Sequence, residues 1–314
     1  MFYTIKRKKW QIVTIVMFVG TFAFLGLALA RDWHAVQSFQ WQFDWLNLIV
    51  WGFLHSAALG TLFLAWHLMM RRLTGLSDWR INFSVYSFSI LARRIPLSIW
   101  YAGSRLYLYR KQHISAAVVV GATTLEVALI TLSGVVCYVL LLPKYTFVQD
   151  WLSWPILVGT GGLLLALVVR PGLFVDLVSV GLRIFKRPSV AIVISRRDLL
   201  VWGLIYLATW FLDGVGLYYV VAALFPSPPP LFDVVGVSTI SALVALLALI
   251  LPGGFGLKEL TMGALLGVWM PIPVGIALSI LYRLLQTALE IIWALMGYWV
   301  GDTKSVVYHA GSPE

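Results

Sequence analysis

Residues Leu251-Pro-Gly-Gly-Phe-Gly-Leu-Lys-Glu259 break an apolar run with helix-stopping residues and then set a cation beside an anion. Inside a bilayer, broken backbone is tolerated only where it faces protein or a water-filled cavity. An ionisable side chain at that depth is costly, and by default it marks a substrate path. Pro252, Gly253, Gly254 and Gly256 allow a sharp turn and a close approach of backbone to a ligand. A half-helix beginning near Gly254 would aim free N–H groups and the positive end of its dipole at an anion such as a phosphate. Lys258 and Glu259 fall in its first turn. Arg283 stands about eleven residues into the last apolar run, and Glu259 is its expected partner. The pair either serves a substrate or only fixes register. Glu290 lies two turns beyond Arg283 on the same helix face, and it either joins these charges or snorkels to the membrane surface.

A second set of charges lies earlier in the chain. Arg93 and Arg94 precede Pro96, and Arg105 follows on the next short segment. They are either ordinary cytoplasmic charges or part of a headgroup site. Glu126 sits mid-run and needs a cation, with Arg105 or Arg94 as the expected partner. Asp213 is equally deep, as a packing polar group or a site residue. His55 and His67 are twelve residues apart on one run, too far to share a metal through local spacing. No His-Glu-x-x-His pattern, serine nucleophile elbow, phosphate-binding P-loop or dinucleotide fingerprint is present. The reading is therefore not an enzyme, with no cofactor, no metal, and no coupling to ATP within this chain. Cys137 is the single cysteine, a packed residue in an apolar run, so disulfides and thiolate metal sites are excluded.

The elements that must position these residues follow from composition. The 314 residues are 61% hydrophobic and only 11% charged, and the apolar residues gather in runs long enough to span a bilayer. One membrane domain over residues 1–314 accounts for nearly all of the chain, with approximate halves 1–150 and 151–314. The net charge of +10 would suggest nucleic acid for a soluble protein, but the cations cluster at the ends of apolar runs. They read as orientation signals and contacts to anionic headgroups, not as a nucleic-acid surface. The run after Lys6-Arg7-Lys8-Lys9 is long and lacks a small-residue cleavage site, so it reads as a retained first helix.

The apolar segments are roughly 12–30, 45–70, 81–92, 96–109, 114–142, 152–170, 198–224, 231–251, 254–270 and 272–300. Two adjacent pairs of shorter segments are split by Pro96 and Pro252, and each pair reads as a re-entrant hairpin. The fold expected is all-α, with about six transmembrane helices and two opposed hairpins. Lysines and arginines then concentrate on one side, with only Arg31 in the external 31–44 loop and Lys144 on the other, placing both termini in the cytoplasm of a bacterial inner-membrane protein. Glu126 follows Pro96, and Arg283 follows Pro252, by about 30 residues. Broken helices at matching positions of two inverted halves are the pattern of secondary transporters. Residues 173–185 could form an interfacial helix, Phe225 to Pro230 a stiff external linker, and the tryptophans an interfacial belt.

The Leu251–Glu259 block, with Arg283 in Ala277-Leu-Ser-Ile-Leu-Tyr-Arg283, resembles the transmembrane region of lysylphosphatidylglycerol synthases and their stand-alone relatives, the flippase-like integral membrane proteins. Arg93-Arg-Ile-Pro96, Trp100, Gly103, Arg105, Tyr107, Arg110 and Glu126 are similar to that family's first block. The family's glycine after the first proline is Leu97 here, and its Arg-Glu is Lys258-Glu259, which keeps the charge but cannot grip a phosphate bidentately. The resemblance implies a lipid-translocating half without the aminoacyl-transfer half. The expectation is a flippase-like protein that moves a phosphate-bearing lipid. Arg93, Arg94, Arg105, Lys258 and Arg283 would face the headgroup, and Glu126, Glu259 and Glu290 would pair with those cations or with an ammonium on the substrate. Expected partners are anionic membrane lipids, a separate lipid-modifying enzyme, and further copies of the chain as a homo-oligomer. The alternatives are an intramembrane headgroup enzyme and a non-catalytic partner of a lipid or glycolipid synthase.

Overall fold

The computed structural model describes residues 26, 27, 30, 33–94, 99–141, 194–248 and 256–301. Most of segment 12–30, all of 152–170 and 173–185, and Pro96, Pro252, Gly253 and Gly254 lie outside the described residues. Among the described residues the structure is helical and has no strand. The helices are α1 Trp33–Gln37, α2 Trp45–Thr74, α3 Trp79–Ala92, α4 Ile99–Arg110, α5 Ala116–Leu141, α6 Arg196–Leu224, α7 Leu231–Ala248, α8 Leu257–Leu266 and α9 Ile272–Val300. Four of them, α2, α5, α6 and α9, are long and apolar enough to cross a membrane.

Polar residues set the helix ends. Asp44 accepts the Leu46 N–H at 2.9 Å ahead of α2, and Asp78 accepts the Arg80 N–H at 2.8 Å ahead of α3. Ser195 and Asp198 cap α6 reciprocally, each side chain accepting the other's backbone N–H. Gly75, at φ 75°, closes α2 in the left-handed region that suits glycine. Short α1 falls between the apolar segments 12–30 and 45–70, and Trp41 Nε1–H donates to its Val36 carbonyl at 2.9 Å.

A long helix, two short helices and a long helix occur in that order twice, as α2–α5 and as α6–α9. Within each set the short helices pack on one another, α3 on α4 and α7 on α8. The chain also divides into two compact units with different boundaries. The first is Met1–Ala58, Gly134–Leu157 and Trp210–Gln286, and it holds α7 and α8. The second is Leu59–Ser133, Val158–Thr209 and Thr287–Glu314, and it holds α3 and α4. The second unit is built on a core of Trp66, Met69, Met70, Tyr86, Leu125, Leu129 and Tyr206.

Candidate functional site

The charged residues of the second unit gather around Arg105 of α4, whose side chain has no exposed surface. A turn at residues 111–115 folds α5 back beside α4, which brings Glu126 to it. Arg105 donates to Glu126 through Nη1 and, at 3.4 Å, Nη2. It also donates to the Tyr101 hydroxyl at 2.6 Å and, through Nε, to Ser89 Oγ at 3.0 Å. Tyr86 and Tyr101 donate their hydroxyls to the two oxygens of Glu126 at 3.2 and 2.8 Å. The guanidinium carbon lies 3.7 Å from the Trp66 ring centre and 4.2 Å from that of Tyr101, within cation–π range. Trp66 Nε1–H donates to the Tyr109 hydroxyl, which donates in turn to Asn82 Oδ1 at 2.7 Å. Arg105 is thus enclosed in an aromatic cage, and both oxygens of its carboxylate partner are satisfied. Trp66 is a core residue of this cage, a correction to the reading of the tryptophans as an interfacial belt. That reading suits Trp33, Trp45 and Trp79, each at least half exposed.

A second ion pair in the same unit joins residues far apart in sequence. Arg94 donates Nε–H to Glu290 Oε2 at 2.6 Å and Nη2–H to Oε1 at 2.8 Å, a bidentate grip. Arg93 comes within 4.0 Å of the same carboxylate. Glu290 is buried, so the snorkelling alternative is overturned: its carboxylate points to arginines that stand just after α3. Arg94 and Arg93 keep 21% and 38% of their side-chain surface exposed, which leaves part of each guanidinium open to a ligand.

In the first unit, Glu259 of α8 and Arg283 of α9 pair at 2.5 Å. The helix α8 begins at Leu257, and Gly256 before it takes φ 87°, in the left-handed region that suits glycine. Lys258 and Glu259 remain in the first turn. The turn at residues 267–271 sends α9 back along α8, and the two helices approach closely. A Cβ on Gly263 would lie 2.5 Å from Ile276 Cγ1, and one on Gly275 would lie 2.8 Å from the Gly263 carbonyl oxygen. That approach places Glu259 beside Ser279, whose hydroxyl donates to its backbone carbonyl at 3.2 Å. Glu259 Oε2 is buried and has no hydrogen-bond partner among the described residues. Arg283 keeps 25% of its side-chain surface.

Asp213 of α6 is the hub of the same unit. Its Oδ1 accepts from the Tyr282 hydroxyl at 3.1 Å and from Gln286 Nε2 at 3.2 Å, and Oδ2 accepts from Ser238 Oγ at 3.2 Å. His55 Nδ1 lies 3.3 Å from Oδ1 without the alignment of a hydrogen bond. Lys258 Nζ stands 5.4 Å from the centre of the Tyr282 ring, linking the hub to the start of α8. Sequence reasoning found Asp213 but missed His55, Tyr282, Gln286 and Ser238 as its partners. Three different helices, α2, α7 and α9, supply them, so no local spacing announces the cluster. His67 bonds instead to Asn82, at 3.0 Å, in the second unit.

Among the described residues no group of three or more His, Cys, Asp or Glu is placed to hold a metal. Cys137 is buried as a free thiol. What the arrangement can do is hold charge: partly exposed arginines backed by buried carboxylates suit an anion, while the Asp213 hub ties α6 to α7 and α9. No family model and no curated protein matches this chain.

Proposed function

We propose that this protein moves a lipid with a phosphate-bearing headgroup between membrane leaflets without changing it covalently. The observation that carries the reading is a buried ion pair at the same place in both sets of helices. In each set, the second short helix is paired with the long helix that follows: Arg105 with Glu126, and Glu259 with Arg283. Charges in such helices are costly, so a pair that recurs at one place in both sets asks for a role beyond residence in a bilayer. Repeated long–short–short–long order is what inverted-repeat transporters use to present one site to either side. In this reading the pairs α3–α4 and α7–α8 are re-entrant hairpins. About six spans cross the cytoplasmic membrane of a bacterium, with both termini inside.

The resemblance of the two blocks to flippase-like proteins supports the same assignment. Roles follow from exposure. In the first unit Arg283 with Lys258, and in the second unit Arg94 with Arg93, each offer a grip for a phosphate, with Glu259 holding Arg283 and Glu290 holding Arg94. Arg105 and Glu126 fix α4 against α5 and do not touch the headgroup, because their hydrogen bonds are already filled. Acyl chains stay in the bilayer while the headgroup crosses.

The test is purified protein in liposomes, with headgroup-labelled phospholipids and polyprenyl phosphates of several classes. One or more anionic probes should reach the opposite leaflet faster than in empty liposomes, and Arg283→Gln and Lys258→Gln should slow them. If no anionic probe is accelerated and no anionic lipid co-purifies, the transport reading fails and a non-catalytic partner role replaces it.

A further inference from the structure

We propose that Arg93, Arg94 and Glu290 form a site for one singly charged phosphodiester of a lipid headgroup, in which Arg93 grips the phosphate and Arg94 positions it. The site deepens the transport reading, rests on its lipid substrate, and names the kind of phosphate that fits.

The seam between α3 and α9 sets the depth of the site. A Cβ on Gly301 would lie 2.6 Å from Ser84 Cβ, and one on Gly297 would lie 2.9 Å from Ser87 Cβ. The Phe83 and Trp293 rings meet with their centroids 5.4 Å apart. The two helices therefore run antiparallel and close. The path from Ser84 forward to Arg94 and the path from Gly301 back to Glu290 each cover about 15–17 Å of helix, and they end at one another. Helix α9 is long and apolar enough to cross a membrane, so the three side chains stand well inside that span.

Charge selects the ligand. Arg94 spends Nε and Nη2 on Glu290. The Arg93 guanidinium only comes within 4.0 Å of the same carboxylate, and it makes no hydrogen bond among the described residues. It is also the more exposed of the two arginines. Arg93 thus presents a planar fork of N–H donors that is open and unspent, a geometry that takes two oxygens of one phosphate. Two arginines against one carboxylate leave one positive charge. Arg105 and Glu126 cancel one another in their own cage. The carbonyl end of α3, capped at Arg93, offsets a further fraction of the positive charge. A ligand with one negative charge neutralises the site. A second negative charge would stay uncompensated at a depth where a lone charge is costly. A phosphodiester carries one charge, whereas a phosphomonoester approaches two above neutral pH.

The test is equilibrium binding to the full-length protein in detergent, with radiolabelled short-chain phosphatidylmethanol, a diester whose headgroup offers no other function. Unlabelled competitors are phosphatidic acid of the same chain length, a monoester, and dimethyl phosphate, the diester without chains. At about pH 9 the monoester is doubly charged, and phosphatidylmethanol should bind at least tenfold tighter. Arg93→Gln should weaken phosphatidylmethanol binding about ten- to a hundredfold. Arg93→Lys should keep the preference for the diester with a weaker grip. Arg94→Gln should let Arg93 fall onto Glu290 and lose binding in the same way, and Arg94→Lys should recover it. Glu290→Gln adds one unit of positive charge and should turn the preference toward phosphatidic acid, which a purely structural ion pair would not do.

Wild-type protein that prefers the monoester or does not discriminate overturns the proposal. So does Arg93→Gln with unchanged phosphatidylmethanol binding, or a folded Glu290→Gln with unchanged preference. Displacement by dimethyl phosphate at equal concentration would make this a site for a free anion and overturn the lipid assignment. If Glu290→Gln does not fold, the two Arg93 variants decide, because they alter a partly exposed side chain. Binding as expected, with no accelerated movement of any lipid in liposomes, sinks the transport reading and leaves a lipid-binding site.

Discussion

The Arg105–Glu126 cage and the Glu259–Arg283 pair have the same place in the element order but opposite polarity and opposite finish. The cation is on the short helix in the first and on the long helix in the second. Around Arg105 the guanidinium and both carboxylate oxygens are bonded, and three aromatic rings lie within cation–π range. Around Glu259 one carboxylate oxygen has no hydrogen-bond partner among the described residues, and the arginine is a quarter exposed. A satisfied buried network rigidifies, whereas an unsatisfied one calls for an explanation by a ligand. The difference separates a filled ion pair from one with room for a further group.

The largest effect should come from breaking the filled pair, the clamp of α4 on α5. Arg105→Leu strands Glu126 in the core, at a cost of about 3–5 kcal/mol, and should sharply lower the yield and thermal midpoint in detergent. Adding Glu126→Leu should recover most of that loss. A single variant as stable as the wild type would mean the cage is no clamp.

Glu259→Gln should cost less stability, about 1.5–3 kcal/mol for a hydrogen bond to a charged group, because Arg283 can turn to its exposed side. Its transport of labelled lipid should nevertheless fall. The double change Glu259→Leu with Arg283→Leu should restore protein yield without restoring transport, and full activity would reduce the pair to a second clamp.

Packing offers a finer contrast. Gly263→Ala pushes a methyl group onto Ile276 and should cost about 1–3 kcal/mol. Gly103→Ala meets nothing within 4 Å on α4 and should stabilise by about 0.4–1 kcal/mol. Thermal unfolding of the two variants decides whether the close approach of α8 and α9 is as tight as described. The smallest change is expected at Arg72→Ala. That side chain is 52% exposed, and its ion pair with Asp198 should contribute under about 1 kcal/mol.

How much of this the sequence disclosed follows the range of the interactions. Glu259 and Arg283, and Arg105 and Glu126, were legible because each charge interrupts an apolar run and its counter-ion stands on the adjacent helix. The order of long and short helices was legible from run length. Glu290 was half legible: its charge was plain, but its partner Arg94 lies 196 residues away. The Asp213 hub was not legible, since serine, tyrosine, glutamine and histidine are unremarkable in isolation and only packing brings them together. Trp66 misled, because tryptophan at a membrane boundary and tryptophan over a buried guanidinium look alike in a sequence. The proline breaks were read from residues outside those described.

The opposed polarity of the two ion pairs also acts as an address. While membrane helices are sorting themselves, α4 presents a cation and α8 an anion to whatever lies beside them. At these positions α5 answers the first with Glu126 and α9 answers the second with Arg283. If α4 met α9 through these positions it would set arginine against arginine, and α8 with α5 would set glutamate against glutamate. Like charges at these two positions would therefore disfavour an exchange of partners between the two sets of helices. A hybrid that joins the short helices of one half to the final helix of the other would need its charges rewritten before it could assemble.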